Sequence, residues 1–278
     1  MEIKVNVNAF EKDNMLGYAR VTFDDKYVLE NIKIKQNSQG YRYVELPKYS
    51  TVKKDENGNR IMKDDIRGGY EYEYKDIFHP YTEEASKAFT DAILTEYKNV
   101  HDNGANKNGT AYTIGNDSFS VGRVTVGLVK NYNEKNHTLG LANVSFNDMF
   151  IVENVKIKKS VSEEHKGENI IDMPTYRAVA KDEETKKPIL DENGKTTYEY
   201  KDAFHAITSE GYHELYDNIM AEYNNKVAAR GQAQMSNVAQ NNVVAEQDNT
   251  SITQEGIPLF DDYDEPRNTG DSYINLTI

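Results

Sequence analysis

The amino-acid sequence contains one long pattern twice, and this duplication constrains the fold more than any other feature. The segment Val21–Lys35 returns as Val144–Lys158, with eight of its fifteen positions identical. A second segment, Tyr72–His79, returns as Tyr198–His205. The copies are 123 residues apart for the first segment and 126 for the second, far above the roughly 20–50 residues of solenoid and propeller repeats. The sequence therefore predicts a duplicated domain whose two copies work as a pair.

Composition divides the chain into four parts. We predict a first domain at residues 1–99, a linker rich in Asn and Gly at 100–117, a second domain at 118–230 and a tail at 231–278. The tail is polar and contains one Arg against eight acidic residues. Because such a segment has little apolar surface to bury, we expect a disordered acidic tail after two folded units.

Net charge and missing residue types exclude several classes of protein. The chain carries a net charge of −13, of which −7 falls in the predicted tail. The two repeated units are therefore nearly neutral and can still carry local basic patches. The absence of cysteine excludes disulfides and thiol catalysis. There is no run of about 18 apolar residues to span a membrane and no apolar signal-peptide core at the start, so we expect a cytoplasmic protein with no membrane partner.

Strands and hairpin turns are predicted in the first part of each copy. Apolar residues at every second position, such as Ile3, Val5 and Val7, indicate a half-buried strand. The pair Asn147–Asp148 separates two further strand-like segments, and both residue types tolerate the positive φ of a tight hairpin turn. The corresponding turn of the first copy is predicted near Asp24–Asp25.

A helix is predicted at the end of each copy. A short strand first stops at Pro47 or Pro174, because proline cannot donate a hydrogen bond to a β-ladder. Thr82 and Thr208 are the predicted N-caps, and apolar residues at helical spacing follow each of them. The predicted fold class is α+β, with two tandem units that each contain a mostly antiparallel sheet of four or five strands and a C-terminal helix.

The order of these motifs resembles the SpoVG family (stage V sporulation protein G). The first copy carries the segments Val44–Pro47, Tyr74–Pro80 and Asp91–Tyr97. The second copy carries the corresponding segments Ile171–Pro174, Tyr200–His205 and Asn218–Tyr223. The resemblance covers most of residues 1–100 and 118–225, and its specificity lies in the order of the motifs, which both copies keep.

This resemblance implies a regulatory function. SpoVG proteins are small bacterial proteins, usually of one domain, that form dimers and are associated with sporulation, control of septation and site-preferring binding of DNA and RNA. The resemblance therefore implies a SpoVG-like regulator whose partner is DNA or RNA. It also implies that the two copies form a dimer-like unit within one chain, or that the chain forms a homodimer. No cofactor is expected.

Ten basic side chains are candidates for contacts with nucleic acid. The segment after each Leu-Pro or Met-Pro step, where the resemblance implies basic residues, contains Lys48, Lys53, Lys54, Arg177 and Lys181. Further candidates on the predicted strands are Lys33, Lys35, Arg42, Lys75 and Lys201. Lysines next to Tyr side chains would combine phosphate pairing with base stacking. The alternative is an ordinary solvated sheet face, because Glu and Asp residues interleave with the lysines.

Enzymatic activity is not expected. His79 and His205 occupy equivalent positions, but no second His, Cys or Ser is visibly paired with either. We therefore interpret them as residues that orient the turn before each helix. The chain also lacks the Walker, dinucleotide-binding and metalloprotease motifs. The rival hypothesis is a protein-interaction module whose tail recruits a protein partner, since Ile257–Phe260 is apolar and an acidic run follows it.

Overall fold

The computed structural model describes residues 1–63, 68–106, 108–132 and 134–243, with side chains described as far as residue 233. These residues form fifteen strands and two helices. The elements of the first copy are β1 (Glu2–Lys12), β2 (Met15–Phe23), β3 (Tyr27–Gln36), β4 (Arg42–Glu45), β5 (Lys48–Val52), β6 (Tyr72–Asp76), β7 (Phe78–Pro80) and α1 (Glu83–Asn103). Then follow β8 (Thr110–Thr113), β9 (Val121–Leu128), β10 (Thr138–Phe146), β11 (Phe150–Lys159), β12 (Asn169–Asp172), β13 (Thr175–Val179), β14 (Tyr198–Asp202), β15 (Phe204–Ala206) and α2 (Ser209–Val243).

Each copy builds an antiparallel sheet from corresponding strands. In the first copy β2 lies between β1 and β3, and β4 pairs with the end of β3. In the second copy β10 lies between β9 and β11, and β12 pairs with the end of β11. A separate two-stranded hairpin follows in each copy, β5–β6 and β13–β14. The predicted α+β units, each with an antiparallel sheet and a C-terminal helix, are confirmed.

The two copies exchange one short strand each. Strand β7 of the first copy pairs with β11 of the second copy, where His79 lies opposite Ile151. Strand β15 of the second copy pairs in the same way with β3 of the first, where His205 lies opposite Val28. Helices α1 and α2 then return to pack on β1 and β9 of their own copies. Each sheet is therefore completed by a strand from the other copy.

The predicted hairpin turns are confirmed in both copies. All four residues of Asp24–Asp25 and Asn147–Asp148 have positive φ, between 44° and 51°. Two central residues with positive φ are typical of the type I′ turn, whose twist matches that of the flanking strands. Asn31 and Asn154, at equivalent places in β3 and β11, also have positive φ. Irregularities in register next to them bend both strands at the same point.

Threonine hydroxyls hold the starts of both helices. The Thr82 Oγ1 accepts the Ala85 N–H at 3.1 Å, and the Thr208 Oγ1 accepts the Gly211 N–H at 3.0 Å. The second helix begins close to the first copy, because a Cβ on Gly211 would lie 2.6 Å from the Lys26 Cγ. A larger residue at this position would therefore force the Lys26 side chain to shift.

Eight aromatic rings form a cluster between the two sheets. This aromatic cluster consists of Phe23, Tyr27, Phe78, Phe89, Phe119, Phe146, Phe150 and Phe204. The Phe78 ring of exchanged strand β7 stacks on Phe150, with centroids 5.2 Å apart. The equivalent ring, Phe204 of β15, stacks on Tyr27 at 5.7 Å. Since all eight side chains are buried, the two copies share one hydrophobic core.

The segment between the copies contains regular structure. Helix α1 continues to Asn103, and strand β8 pairs with the outer edge of β1. Pairing satisfies the backbone groups that an edge strand leaves open, which explains why part of the segment predicted as a linker, residues 100–117, becomes a strand. Helix α2 continues to Val243. Most of the predicted tail, residues 244–278, lies outside the described residues.

Candidate nucleic-acid interface

The hairpins β5–β6 and β13–β14 lie side by side, with β5 in contact with β13. Each hairpin is joined at its base to the exchanged strand that follows it. The Ile77 N–H donates to the Pro47 carbonyl at 2.8 Å, and the Ala203 N–H donates to the Pro174 carbonyl at 2.8 Å. The proline steps that the sequence singles out therefore mark where the chain leaves the main sheets and enters the hairpins.

One hydrogen bond, equivalent in the two copies, fixes each hairpin to the sheet of the other copy. The Tyr49 hydroxyl donates to Glu153 Oε2 at 3.0 Å, and the Tyr176 hydroxyl donates to Glu30 Oε2 at 3.0 Å. Burial raises the pKa of the Tyr176 hydroxyl, and the negative charge of Glu30 raises it further. The Tyr176 hydroxyl therefore stays protonated and keeps donating at physiological pH. The paired hairpins are held as one surface.

The outer face of the paired hairpins carries exposed aromatic side chains. Tyr74 is 67% exposed, and Tyr200, its equivalent in the second copy, is 59% exposed. Tyr200 lies opposite Arg177 across the β13–β14 ladder, and the Arg177 guanidinium lies 3.6 Å from the centroid of the Tyr198 ring. Residues two apart on a strand share a face, so Arg177 is flanked by two tyrosines. An arginine among exposed rings can contact both a phosphate and a base.

Most of the predicted basic residues of the hairpins are paired with carboxylates. The ion pairs are Lys48 with Asp76 at 3.9 Å, Lys53 with Glu71 at 3.0 Å, Lys75 with Glu73 at 3.1 Å and Lys201 with Glu199 at 2.9 Å. All four lysines are about half exposed, so the pairs are solvated and contribute little to stability. Each carboxylate nevertheless cancels much of the charge that its lysine would present to a phosphate.

Three further predicted residues lie on the main sheet of the first copy, at the junction of β3 and β4. Lys33 and Lys35 both pair with Glu45, at 3.3 Å and 3.0 Å. Burial opposes ionisation of this carboxyl, but Lys35 and Lys33 outweigh that effect and lower the pKa of Glu45. Arg42 is turned toward helix α1, with its guanidinium 5.1 Å from the centroid of the Tyr97 ring. These residues lie on the main sheet and its junction with β4, not on the hairpins.

The last two predicted residues, Lys54 and Lys181, lie just beyond the hairpins. Each is exposed, and each belongs to an isolated β-bridge, Lys54 with Arg60 and Lys181 with Pro188. These isolated bridges continue each hairpin beyond its regular strands. They lie at corresponding positions in the two copies. Together with Arg177, Lys54 and Lys181 place positive charge near the ends of the paired hairpins.

His79 joins the same network from the exchanged strand β7. Its Nε2 lies 3.2 Å from Glu153 Oε1, the carboxylate that also accepts from Tyr49. The hydrogen bond with Glu153 raises the pKa of His79, burial acts against it, and the charges of Glu153 and Asp76 raise it further. The same bond lowers the pKa of Glu153. This geometry supports the interpretation of His79 as a residue that orients the turn before the helix.

The His79–Glu153 pair predicts a pH-dependent stability. A histidine with a raised pKa stabilises the fold fully below its ordinary value of 6.5 and loses this effect as the pH rises through the raised value. We therefore expect His79→Gln to lower the free energy of unfolding more at pH 5.5 than at pH 8.5, as measured by urea unfolding. The control is His165→Gln, because His165 is exposed. A loss in the free energy of unfolding that is equal at both pH values would contradict the prediction.

Sequence reasoning missed the exposed tyrosines of the hairpins and the two cross-copy glutamates. A signal for both was present. Glu30 and Glu153 are identical residues within the first repeated segment, and Tyr74 and Tyr200 are identical within the second. What the repeat does not reveal is that Tyr49 and Tyr176 reach these glutamates from the opposite copy, since the contact depends on the exchange of strands.

Two kinds of feature are absent from the described part of the chain. In residues 1–63, 68–106, 108–132 and 134–243, no three His, Asp or Glu side chains are grouped so that they could hold a metal ion. Within the same ranges, neither helix has the length and apolar character needed to cross a membrane.

Comparison with known proteins identifies relatives for both copies. The model of the SpoVG family matches residues 1–99 and again residues 121–225. A septation protein SpoVG from Treponema denticola is 33% identical over 100 residues, which cover 35% of this chain and 87% of the relative. The protein of the same name from Archaeoglobus fulgidus is 30% identical over 82 residues, 30% of this chain and 74% of the relative.

A third relative, from Caldanaerobacter subterraneus, is 27% identical over 97 residues, 35% of this chain and 86% of the relative. All three relatives are named as septation proteins and none as an enzyme. No solved structure matches the chain at a comparable level of significance. Because the family model matches two segments that together span most of the chain, this protein belongs to the SpoVG family and contains two tandem copies of its domain.

Proposed function

We propose that this chain is a cytoplasmic regulator that binds single-stranded nucleic acid on the outer face of the paired hairpins. The observation that carries the proposal is the pair of exposed tyrosines at equivalent positions, Tyr74 and Tyr200, with Arg177 opposite the second of them. Aromatic rings stack on successive bases of a single strand with little dependence on sequence. Two rings on adjacent hairpins offer two such positions.

A single strand fits this surface better than a duplex. Non-specific binding of duplex DNA depends on lysine and arginine contacts with phosphates. Here Lys48, Lys53 and Lys75 already face carboxylates within their own hairpin. Stacking needs no excess of positive charge, and Arg177 stands among the aromatic rings. Lys54 and Lys181 are exposed just beyond the hairpins, where their side chains can contact a phosphate backbone.

The regulatory part of the proposal comes from the relatives. They are named as septation proteins, and we infer a role in septation or sporulation-type control that depends on occupying a site and involves no chemical step. We also infer that residues 1–99 and 118–230 act as an intramolecular pair in place of a dimer of separate chains. The reciprocal contacts of Tyr49 and Tyr176 support this pairing.

The test is binding of fluorescent single-stranded and duplex DNA and RNA to the full chain. We expect the single strands to bind more tightly, and we expect the double variant Tyr74→Ala with Tyr200→Ala to weaken that binding. Each lost stack is worth roughly 1–3 kcal/mol, so the loss is at least about 30-fold. The matched control is Tyr81→Ala, since Tyr81 is as exposed as Tyr74 but precedes helix α1.

A charge-reversal variant separates stacking from phosphate pairing. Replacing Lys48, Lys53 and Lys54 by Glu is expected to weaken single-strand binding less than the tyrosine double variant does. Equal binding of duplex and single strand, with a larger loss in the lysine variant, would overturn the stacking mechanism. Absence of binding to any of the four nucleic acids at low salt would refute the proposed function. The protein-interaction hypothesis, whose tail lies outside the described residues, would then replace it.

A further inference from the structure

A cavity of about 440 Å³ lies where the end of β1 meets the end of α1 in the first copy. Its lining includes three apolar or aromatic side chains and three polar ones: Phe10, Tyr97, Val100, Asn8, Glu11 and His101. The volume falls within the roughly 300–1,000 Å³ of sites that bind small molecules. The lining contains no residue of the paired hairpins or of the aromatic cluster, so this cavity is separate from both.

The second copy fills the equivalent place with a guanidinium group of its own. Helix α2 runs on beyond the position where α1 ends, and Arg230 stands where the first copy has Gly104. The Arg230 guanidinium donates to the Val129 carbonyl at 3.0 Å and to the Lys130 carbonyl at 3.4 Å. In the first copy, a Cβ on Gly104 would meet no described atom within 4 Å, so the same space is open.

The strand registers show which residues of the first copy correspond to those that Arg230 contacts. Ala9 of β1 and Leu128 of β9 pair with equivalent glycines of the neighbouring strands. The two residues after Ala9, which are Phe10 and Glu11, therefore correspond to the two whose carbonyls accept from Arg230. Both line the cavity. The cavity is thus the first copy's counterpart of the place that Arg230 fills.

The charges at the cavity favour a cation from outside the chain. Where the second copy has Lys130, the first copy has Glu11, whose side chain is 70% exposed. Glu11 lies 3.8 Å from His101, and His101 lies 2.9 Å from a second carboxylate, that of Asp102. The copy without an arginine of its own therefore places a carboxylate in the cavity and another close to it.

Tyr97 supplies a polar group that lacks a partner. Its side chain is 1% exposed, and its hydroxyl has no hydrogen-bond partner among the residues that the structure describes. Burial raises the pKa of this hydroxyl, Arg42 acts against the rise, and the charge of Glu11 adds to it, so the hydroxyl lies within electrostatic reach of the cavity's carboxylate. A buried polar atom without a partner costs free energy, and a guanidinium N–H can donate to a hydroxyl oxygen.

We propose that this cavity binds a small molecule that carries a guanidinium group on a short aliphatic chain. The guanidinium takes the place that Arg230 takes in the second copy, and its planar set of N–H donors meets the Phe10 and Glu11 carbonyls and the Glu11 carboxylate. The aliphatic chain lies against Val100. The cavity is larger than a guanidinium group alone requires, which favours a free molecule over a single side chain of a protein partner.

Calorimetric titration of the full-length protein with butylguanidine tests this site. We expect one molecule to bind per chain, and we expect uncharged butylurea to bind at least about ten-fold more weakly, because hydrogen bonds with a charged group are roughly twice as strong as neutral ones. Glu11→Lys, which introduces the second copy's residue, should weaken butylguanidine binding by at least about ten-fold through repulsion of like charges. The matched control is Glu56→Lys, since Glu56 is exposed in the turn after β5, and it should leave the affinity unchanged.

The second copy allows a gain-of-binding experiment. Arg230→Ala removes the guanidinium that contacts Val129 and Lys130, so we expect the stoichiometry to rise from one to two butylguanidine molecules per chain. A stoichiometry that stays at one would overturn the equivalence of the two places. Binding to Arg230→Ala without binding to the wild-type chain would refute the site in the first copy.

Three further outcomes would overturn the proposal. Equal binding of butylguanidine and butylurea would mean that the cavity is an apolar pocket without recognition of the cation. An affinity that Glu11→Lys leaves unchanged would place the binding elsewhere on the chain. Tighter binding of a short end-blocked peptide with one central arginine would assign the cavity to an arginine of a protein partner.

Discussion

Replacing Phe78 by alanine is expected to lower the free energy of unfolding by about 3–5 kcal/mol, the usual cost of a large aromatic deletion in a well-packed core. Phe78 is fully buried and contacts rings of both copies, with Phe23 at 5.4 Å and Phe150 at 5.2 Å between centroids. The cavity therefore opens between the two sheets. Urea unfolding followed by circular dichroism measures the loss.

The control for this variant lies in the same exchanged segment. Tyr81, three residues later, is 64% exposed, and its replacement by alanine should change the free energy of unfolding by less than about 0.5 kcal/mol. Because the aromatic cluster is shared, Phe78→Ala should lower the midpoint of one cooperative transition. Two separate transitions, with only the first-copy half destabilised, would contradict a shared core.

Cutting the chain between the copies is expected to leave them bound to each other. A protease site inserted between Asn116 and Asp117, which are exposed and follow β8, would allow cleavage of the folded protein with β8 kept on the first piece. The two pieces should co-elute in size exclusion, because β7 and β15 each complete the sheet of the other copy and Tyr49 and Tyr176 cross between them.

The piece expressed alone provides the comparison. Residues 1–116 without the second copy keep β8 but lack the strand that pairs with the start of β3 and leave Phe78 without Phe150. We expect this piece to be unfolded or to self-associate through the open positions. Pieces that separate after cleavage, each with the circular dichroism spectrum of a folded domain, would contradict the exchange.

Local patterns predicted most of the secondary structure because those patterns act over a few residues. The alternation at Ile3, Val5 and Val7 matches β1, the Asp24–Asp25 turn has the expected positive φ, and Thr82 caps α1. Each of these features depends on neighbours in sequence. The family resemblance followed from the order of the same local motifs, which is why it was recognisable without a structure.

The pairing of surface charges could not be predicted from the sequence, since it depends on which strands are neighbours. The sequence left open whether Lys33, Lys35 and Lys48 belong to a basic face or to an ordinary solvated one, because register determines the carboxylate that faces each lysine. Pairing of β3 with β4 brings Glu45 to Lys33 and Lys35, and pairing of β5 with β6 brings Asp76 to Lys48.

The sequence by itself determined that the chain has two copies of an α+β unit, with hairpin turns, proline steps and capped helices at corresponding places. Only the tertiary structure decided that β7 and β15 change partners. The copies are so alike that Phe150 and Tyr27 offer equivalent stacking surfaces to Phe78 and Phe204, and no local pattern distinguishes the two choices. The pairing of β7 and β15 with the opposite copy arises from long-range packing, in which eight rings from both copies fill one core.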